Sequence, residues 1–184
     1  MAGMKILAIT KSTGGVSLYN RLLLKELKPL GYESHTICLS ENAENYAQGL
    51  QDLGLSAEPM DMARYSIDPA GDFRVLQQIT QIAKDMQPDV IVCHGSKSGF
   101  VGRIVGRRIG RPVIYRQASM PFLRRVQGKK APFYWLLDFL VSKIGGHIVT
   151  LTEDAMHTTA KFKLNPKDRI SVIRTGVDLS LIHI

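Results

Sequence analysis

Short apolar runs alternate along this chain with stretches whose apolar residues recur every three or four positions. Lys5–Thr10 (KILAIT) reads as a strand and is followed by the turn Lys11-Ser12-Thr13-Gly14-Gly15. Tyr19, Leu22, Leu23, Leu27 and Leu30 then fall on one helical face, closed by Gly31. Glu33–Leu39 reads as a second strand, Glu41–Leu53 as a helix stopped by Gly54, and residues 56–60 as a short third strand. Asp72 is placed to cap a helix carrying Phe73, Leu76, Ile79, Ile82 and Met86 on one face, which Pro88 ends. Val90–His94 is strand, Gly99–Ile109 helix, and Pro112–Arg116 strand. A basic loop leads to the almost wholly apolar helix Phe133–Ile144. His147–Leu151, Glu153–Phe162 and Ile170–Ile173 follow as strand, helix and strand. Strands with few polar residues, separated by helices, indicate a parallel sheet covered on both faces. The predicted fold is α/β: a doubly wound, mainly parallel, Rossmann-like sheet.

Composition narrows the class. At 184 residues and 45% apolar, the chain suits one domain with its own core and argues against disorder. Cys38 and Cys93 both sit inside strand-like runs, so buried free thiols in a reducing compartment are expected. With neither a run long enough to span a bilayer nor a cleavable leader, the reading is a soluble, cytoplasmic protein. The net charge of +8 is unevenly spread. Residues 1–95 carry 8 basic and 11 acidic side chains; residues 96–184 carry 16 and 5. No Asp or Glu occurs from Val90 to Leu137, while ten Lys or Arg lie between Lys97 and Lys130. Such a field favours anionic partners, unless it is only a solvated face.

In a doubly wound sheet, ligands gather beyond the carboxyl ends of the strands. Gly14 and Gly15, after the first strand, let backbone N–H groups approach an anion at a helix start, or simply make a tight turn. Neither a dinucleotide fingerprint nor a P-loop is present. The fourth strand ends in Cys93-His94-Gly95-Ser96-Lys97-Ser98, which sets an imidazole, hydroxyls and an ammonium around a helix start. The fifth ends in Arg116 and Gln117, a forked cation and an amide offered to the same crevice. Arg116 reads equally as a phosphate ligand or as the partner of a carboxylate. Thr152 reads as a plain helix cap. The five histidines show no metal-ligand spacing, no serine-hydrolase elbow occurs, and the basic stretch lacks the features of a nucleic-acid reader. Arg124, Arg125, Lys129 and Lys130 beside Phe122, Phe133, Tyr134 and Trp135 have the composition of a contact with an anionic membrane surface. The alternative is that Phe133, Leu136, Leu137 and Leu140 are ordinary core.

From Lys5 to Asp178 the chain resembles the N-terminal domain of a family 4 glycosyltransferase of the two-domain GT-B fold. Five segments carry the resemblance: KILAITKSTGGVSLYNRLLLKELKPLGYES, PMDMARYSIDP, PDVIVCHGSKSGFVGRIVGRRIGRPVIY, HIVTLTEDA and DRISVIRTGVDLS. The third is similar to the branch that builds exopolysaccharide and lipopolysaccharide. The resemblance implies retaining transfer of a sugar from a nucleotide-sugar to a glycan or lipid-linked acceptor, without metal or other cofactor. It implies an acceptor site mainly in this domain; the membrane-surface contact read above, at the inner face of the plasma membrane, would suit a lipid-linked acceptor. Gly14 and Gly15 match the turn that faces the donor diphosphate; His94, with Ser96 and Lys97, matches the acceptor side. The family's usual histidine is replaced by Ala118, so His94, Arg116 and Gln117 are the catalytic candidates. No donor-binding domain follows Asp178, and residues 179–184 do not resemble the family's linker; a truncated, inactive fragment is therefore expected. A stand-alone nucleotide- or phosphosugar-binding module is the other reading.

Overall fold

The computed structural model describes residues 3–12, 14–40, 43–62 and 69–176, with the backbone alone at Pro69 and Arg124. The apolar runs form seven strands: β1 (Lys5–Lys11), β2 (Glu33–Leu39), β3 (Ser56–Met60), β4 (Val90–His94), β5 (Val113–Arg116), β6 (His147–Thr150) and β7 (Ile170–Val172). All pair in parallel, in the order β3-β2-β1-β4-β5-β6-β7. The helices are α1 (Gly15–Leu27), α2 (Glu44–Gln51), α3 (Pro69–Met86), α4 (Ser96–Ile109), α5 (Arg124–Gln127), α6 (Ala131–Ser142) and α7 (Glu153–Lys161). The predicted α/β class and doubly wound arrangement are what the structure contains.

Alternation along the strands divides the core in two. Leu7, Ile9, Ile37, Ile91, Cys93, Tyr115 and Ile148 point to one face, where Val75 and Ile79 of α3 and Val101 and Val105 of α4 meet them. Ala8 and Cys38 point to the other, against Leu24 of α1 and Ala47 and Leu50 of α2. Leu7, Ile9, Ile37, Ile79 and Ile91 are wholly shielded from solvent. Each contributes about 1.5–3 kcal/mol of transfer free energy. Both cysteines are free and buried, as expected, and burial pushes each thiol up to about 12.

Local departures have identifiable causes. Pro29 cannot donate to the carbonyl one turn earlier, so α1 ends at Leu27 and a 3-10 turn, Lys28–Leu30, leaves Leu30 exposed rather than on the core stripe. Glu41, the expected start of the second helix, lies outside the described residues. α3 begins at Pro69, so Asp72 lies in its first turn instead of capping it, and Phe73 is exposed. α4 begins at Ser96, with only Gly95 between it and the strand-ending His94.

α4 lies against the sheet through glycines. A β-carbon on Gly102 would stand 2.0 Å from the Cys93 sulfur, one on Gly99 2.5 Å from the Tyr115 ring, and one on Gly106 2.2 Å from Val113. The guanidinium of buried Arg103 lies 4.6 Å from the Tyr115 ring centroid. Asp138 of α6 faces this charge; burial raises its carboxyl to about 6 against the opposing pull of Arg103. Gly102→Ala is expected to cost about 1–3 kcal/mol of stability, the usual penalty of overpacking. Adding Cys93→Ala should restore part of it by removing the sulfur in the way. Urea midpoints of the two single variants and the double variant check this.

Candidate functional site

The strand order reverses between β1 and β4: α1 leaves β1 toward one face and α4 leaves β4 toward the other. In doubly wound sheets the ligand crevice lies at such a switch point, beyond the carboxyl ends. Two glycine turns flank it. Gly14 precedes α1 with φ 72°, and Gly95 precedes α4 with φ 98°. A side chain has room at either position, but that left-handed backbone disfavours any residue with a β-carbon. Each turn aims a helix N-terminus and its partial positive charge at the crevice.

His94 and Arg116 are register partners on adjacent strands and share the α1 face of the sheet. There they meet Tyr19 of α1. The Arg116 guanidinium lies 3.8 Å from the Tyr19 ring centroid, and the His94 ring meets the same tyrosine edge-on at 5.7 Å. Arg116, only 5% exposed, donates from Nη2 to Thr175 Oγ1 at 2.5 Å. Among the described residues no carboxylate lies within ion-pair distance of it; Asp178, three residues beyond Thr175, lies outside them. His94 is 1% exposed, and neither ring nitrogen has a hydrogen-bond partner among the described residues. Burial first, and the Arg116 charge second, lower its pKa to about 3, so the ring is neutral at physiological pH.

The other candidates are placed differently. Gln117 lies one residue beyond Arg116, and Thr159 of α7 donates to its Oε1 at 2.6 Å. It is therefore held on the opposite side of the sheet from His94 and Arg116, not in one group with them. Ala118 continues this loop. Lys97 pairs with Asp72 at 3.0 Å, which ties the first turn of α3 to that of α4. Ser96 is half-buried at the start of α4, and Gly15 is exposed at the start of α1. Thr152 caps α7, accepting from the Ala155 N–H at 3.1 Å. Thr13 and Asp178 lie outside the described residues, as does the tail 179–184.

In the basic segment, Arg125, Lys129 and Lys130 are exposed; the Arg124 side chain is outside the described set. Trp135 is turned inward: its Nε1 donates to the Phe162 carbonyl at 3.1 Å and its ring stacks on Phe139. Phe122 is buried against Phe162. Phe133, Leu136 and Leu140 are exposed, so they are not ordinary core. Among the described residues no helix is long and apolar enough to cross a membrane, and no group of three or more His, Cys, Asp or Glu is placed to hold a metal ion.

Sequence reasoning missed Tyr19 as a site residue because its spacing made it one more member of the α1 stripe. Thr175 lay within the segment DRISVIRTGVDLS that carries the resemblance but was not singled out as a site residue. An aromatic ring one turn inside a Gly-Gly helix start, facing a strand-ending histidine, was the one available hint.

A seven-stranded parallel sheet of this order, with helices on both faces, defines a Rossmann-like α/β fold class, and the comparisons fit it. Residues 14–176 match the family described as Glycosyl transferase 4-like domain, and the chain belongs to that family. A comparison with curated proteins found no match. Among solved structures, Anabaena Alr3699/HepE in complex with UDP and glucose superposes with a TM-score of 0.76 at 15% identity, over 97% of this chain and 46% of that one. A glycosyltransferase from Rickettsia africae ESF-5 gives 0.70 at 15%, over 98% and 45%. UDP-GlcNAc 2-epimerase from Neisseria meningitidis bound to UDP-GlcNAc gives 0.66 at 16%, over 92% and 46%. The chain thus spans less than half the length of these proteins, each of which shares its fold.

The two buried titrating groups oppose each other. Below pH 6.5 the unfolded chain protonates His94, whereas the native site refuses the proton until about pH 3; stability from this group falls as pH drops through that window. Asp138 protonates near pH 6 when folded but at 3.8 unfolded, so it adds stability as pH drops from 6 to 3.8. Asp138→Asn should therefore unmask the acid weakness of His94. Its stability should fall more steeply between pH 6 and pH 4 than that of the parent, by up to about 1.4 kcal/mol per pH unit. Urea unfolding across that range measures the slope.

Proposed function

We propose that this domain forms the acceptor-side half of a retaining sugar transfer, from a nucleotide-sugar donor to a glycan acceptor carried on a lipid in cell-envelope synthesis. The observation that supports it best is the pairing of neutral His94 with the cation of Arg116 at the switch point, between two glycine turns. The Gly14 turn and Arg116 offer backbone donors and charge to a diphosphate. His94 offers one donor and one acceptor nitrogen to a sugar hydroxyl. The crystallised Anabaena protein is described in complexes with UDP and glucose and with UDP-glucose, which supports a nucleotide-sugar as donor.

In the transfer, the bond from the anomeric carbon to the diphosphate breaks and a new bond to the acceptor oxygen forms on the same face. The acceptor hydroxyl loses its proton as it attacks. An imidazole with its pKa near 3 orients that hydroxyl but is too weak a base to keep the proton at neutral pH. The proton therefore passes to the departing diphosphate, whose basicity grows as the bond breaks. Arg116 and the helix N-termini stabilise the charge that collects there.

The relatives are about twice as long, and positioning both reactants needs groups from both halves. The 184-residue chain alone is expected to transfer no sugar from a radiolabelled UDP-sugar; turnover by it would overturn the shared-cleft reading. In an enzyme containing this domain together with a nucleotide-binding half, His94→Ala should lower kcat by ~10²-fold, the scale of a lost orienting contact, and should reduce turnover far more than fold stability. Rates equal to the parent's would reassign His94 to a structural role.

A further inference from the structure

We propose that the outer face of α6, with the basic turn before it, docks on an anionic lipid bilayer and holds the crevice at the membrane surface. Phe133, Leu136 and Leu140 are 47%, 46% and 54% exposed. Their spacing, three and four residues apart, sets them on one helical stripe. Val126, in the preceding α5, adds a further exposed apolar side chain. A contiguous apolar strip on a surface marks an interaction site, and its borders say what kind. Arg125, Lys129 and Lys130 are exposed immediately before the strip. No acidic residue occurs from Val90 to Leu137, and the next, Asp138, has a carboxylate oxygen buried near Arg103. Exposed apolar groups beside unopposed cations complement an anionic headgroup layer over acyl chains, not an acidic protein alone.

Topology gives the docking a consequence. The segment before α6 leaves the carboxyl end of β5, directly after Arg116, so the helix starts at the crevice end of the sheet. A bilayer under Phe133 and Leu136 therefore lies near the mouth of the His94 crevice, within reach of an acceptor whose anchor stays in the lipid. Trp135 and Phe139, stacked on each other, fix the inner side of α6 to the end of α7 and keep the outer strip facing away.

A second basic surface supplies the control. A groove of about 720 Å³ is lined by Lys161, Lys163, Lys167 and Arg169 among others, with no exposed large apolar side chain in its lining. The test is co-sedimentation of the 184-residue chain with vesicles of phosphatidylglycerol and phosphatidylcholine, or of phosphatidylcholine alone, at low and high salt. Binding should require the anionic lipid and weaken with salt. Arg125→Ser, Lys129→Ser and Lys130→Ser together should reduce it on the order of a hundredfold, about fivefold per charge. Phe133→Asp with Leu140→Asp should also abolish it, both variants keeping the parent's melting curve. Lys161→Ser, Lys163→Ser and Lys167→Ser should leave binding in place. Equal binding to neutral vesicles, binding to neither, or loss only in the groove variant would overturn the proposal. So would self-association through α6 without lipid, which would assign the face to a second copy. No sugar or turnover enters this test, so its failure leaves the transferase reading standing.

Discussion

How closely α4 can approach the sheet governs the geometry of the crevice. Ordinary side chains hold a helix away from a sheet; here Gly99, Gly102 and Gly106 remove the ones that would do so. The Cys93 sulfur occupies the space a Gly102 methyl would need, and the Tyr115 ring occupies that of Gly99. Because strand residues alternate, Cys93 and Tyr115 facing α4 oblige His94 and Arg116 to face α1. The same contact fixes the start of α4 right after Gly95, with no intervening loop to let the turn drift.

That arrangement withholds water from a cation and an imidazole at once. Arg116 keeps its charge, resting on the Tyr19 ring and one hydroxyl of Thr175. Its neighbour His94 is thereby denied a second positive charge and stays neutral. A site that is fixed in charge and poor in internal hydrogen bonds suits a guest bringing phosphate oxygens and hydroxyls, because such a guest supplies what the protein groups lack.

Much of this architecture was legible in the sequence. Runs such as KILAIT and VIVCH are apolar at every other or every position because both faces of the sheet are covered. The Gly14 and Gly95 turns could be read because glycine after a strand and before a helix has few other uses. Which face a residue occupies was less legible. His94, Arg116 and Gln117 look equivalent as strand ends, yet one step along an extended chain sends Gln117 to Thr159 and away from His94. Nor could periodicity say that Asp72 would meet Lys97 rather than cap a helix, since that pairing joins residues 25 apart on two helices. In α6, apolar content alone left surface contact and ordinary core both open; the helix packs along one side, through Ala131, Val141 and the Trp135–Phe139 pair.

Trp135 is the single tryptophan of the chain, and its indole N–H is committed to the Phe162 carbonyl at the end of α7. The protein therefore carries an intrinsic optical probe at the seam between α6 and α7, half-buried and turned from the outer strip. Its emission reads how firmly those two helices are joined: a red shift or added quenching records their separation. The connection from β5, which carries Arg116 at its base, runs into α6. A change of packing at the seam is thus visible in fluorescence from a position outside the crevice.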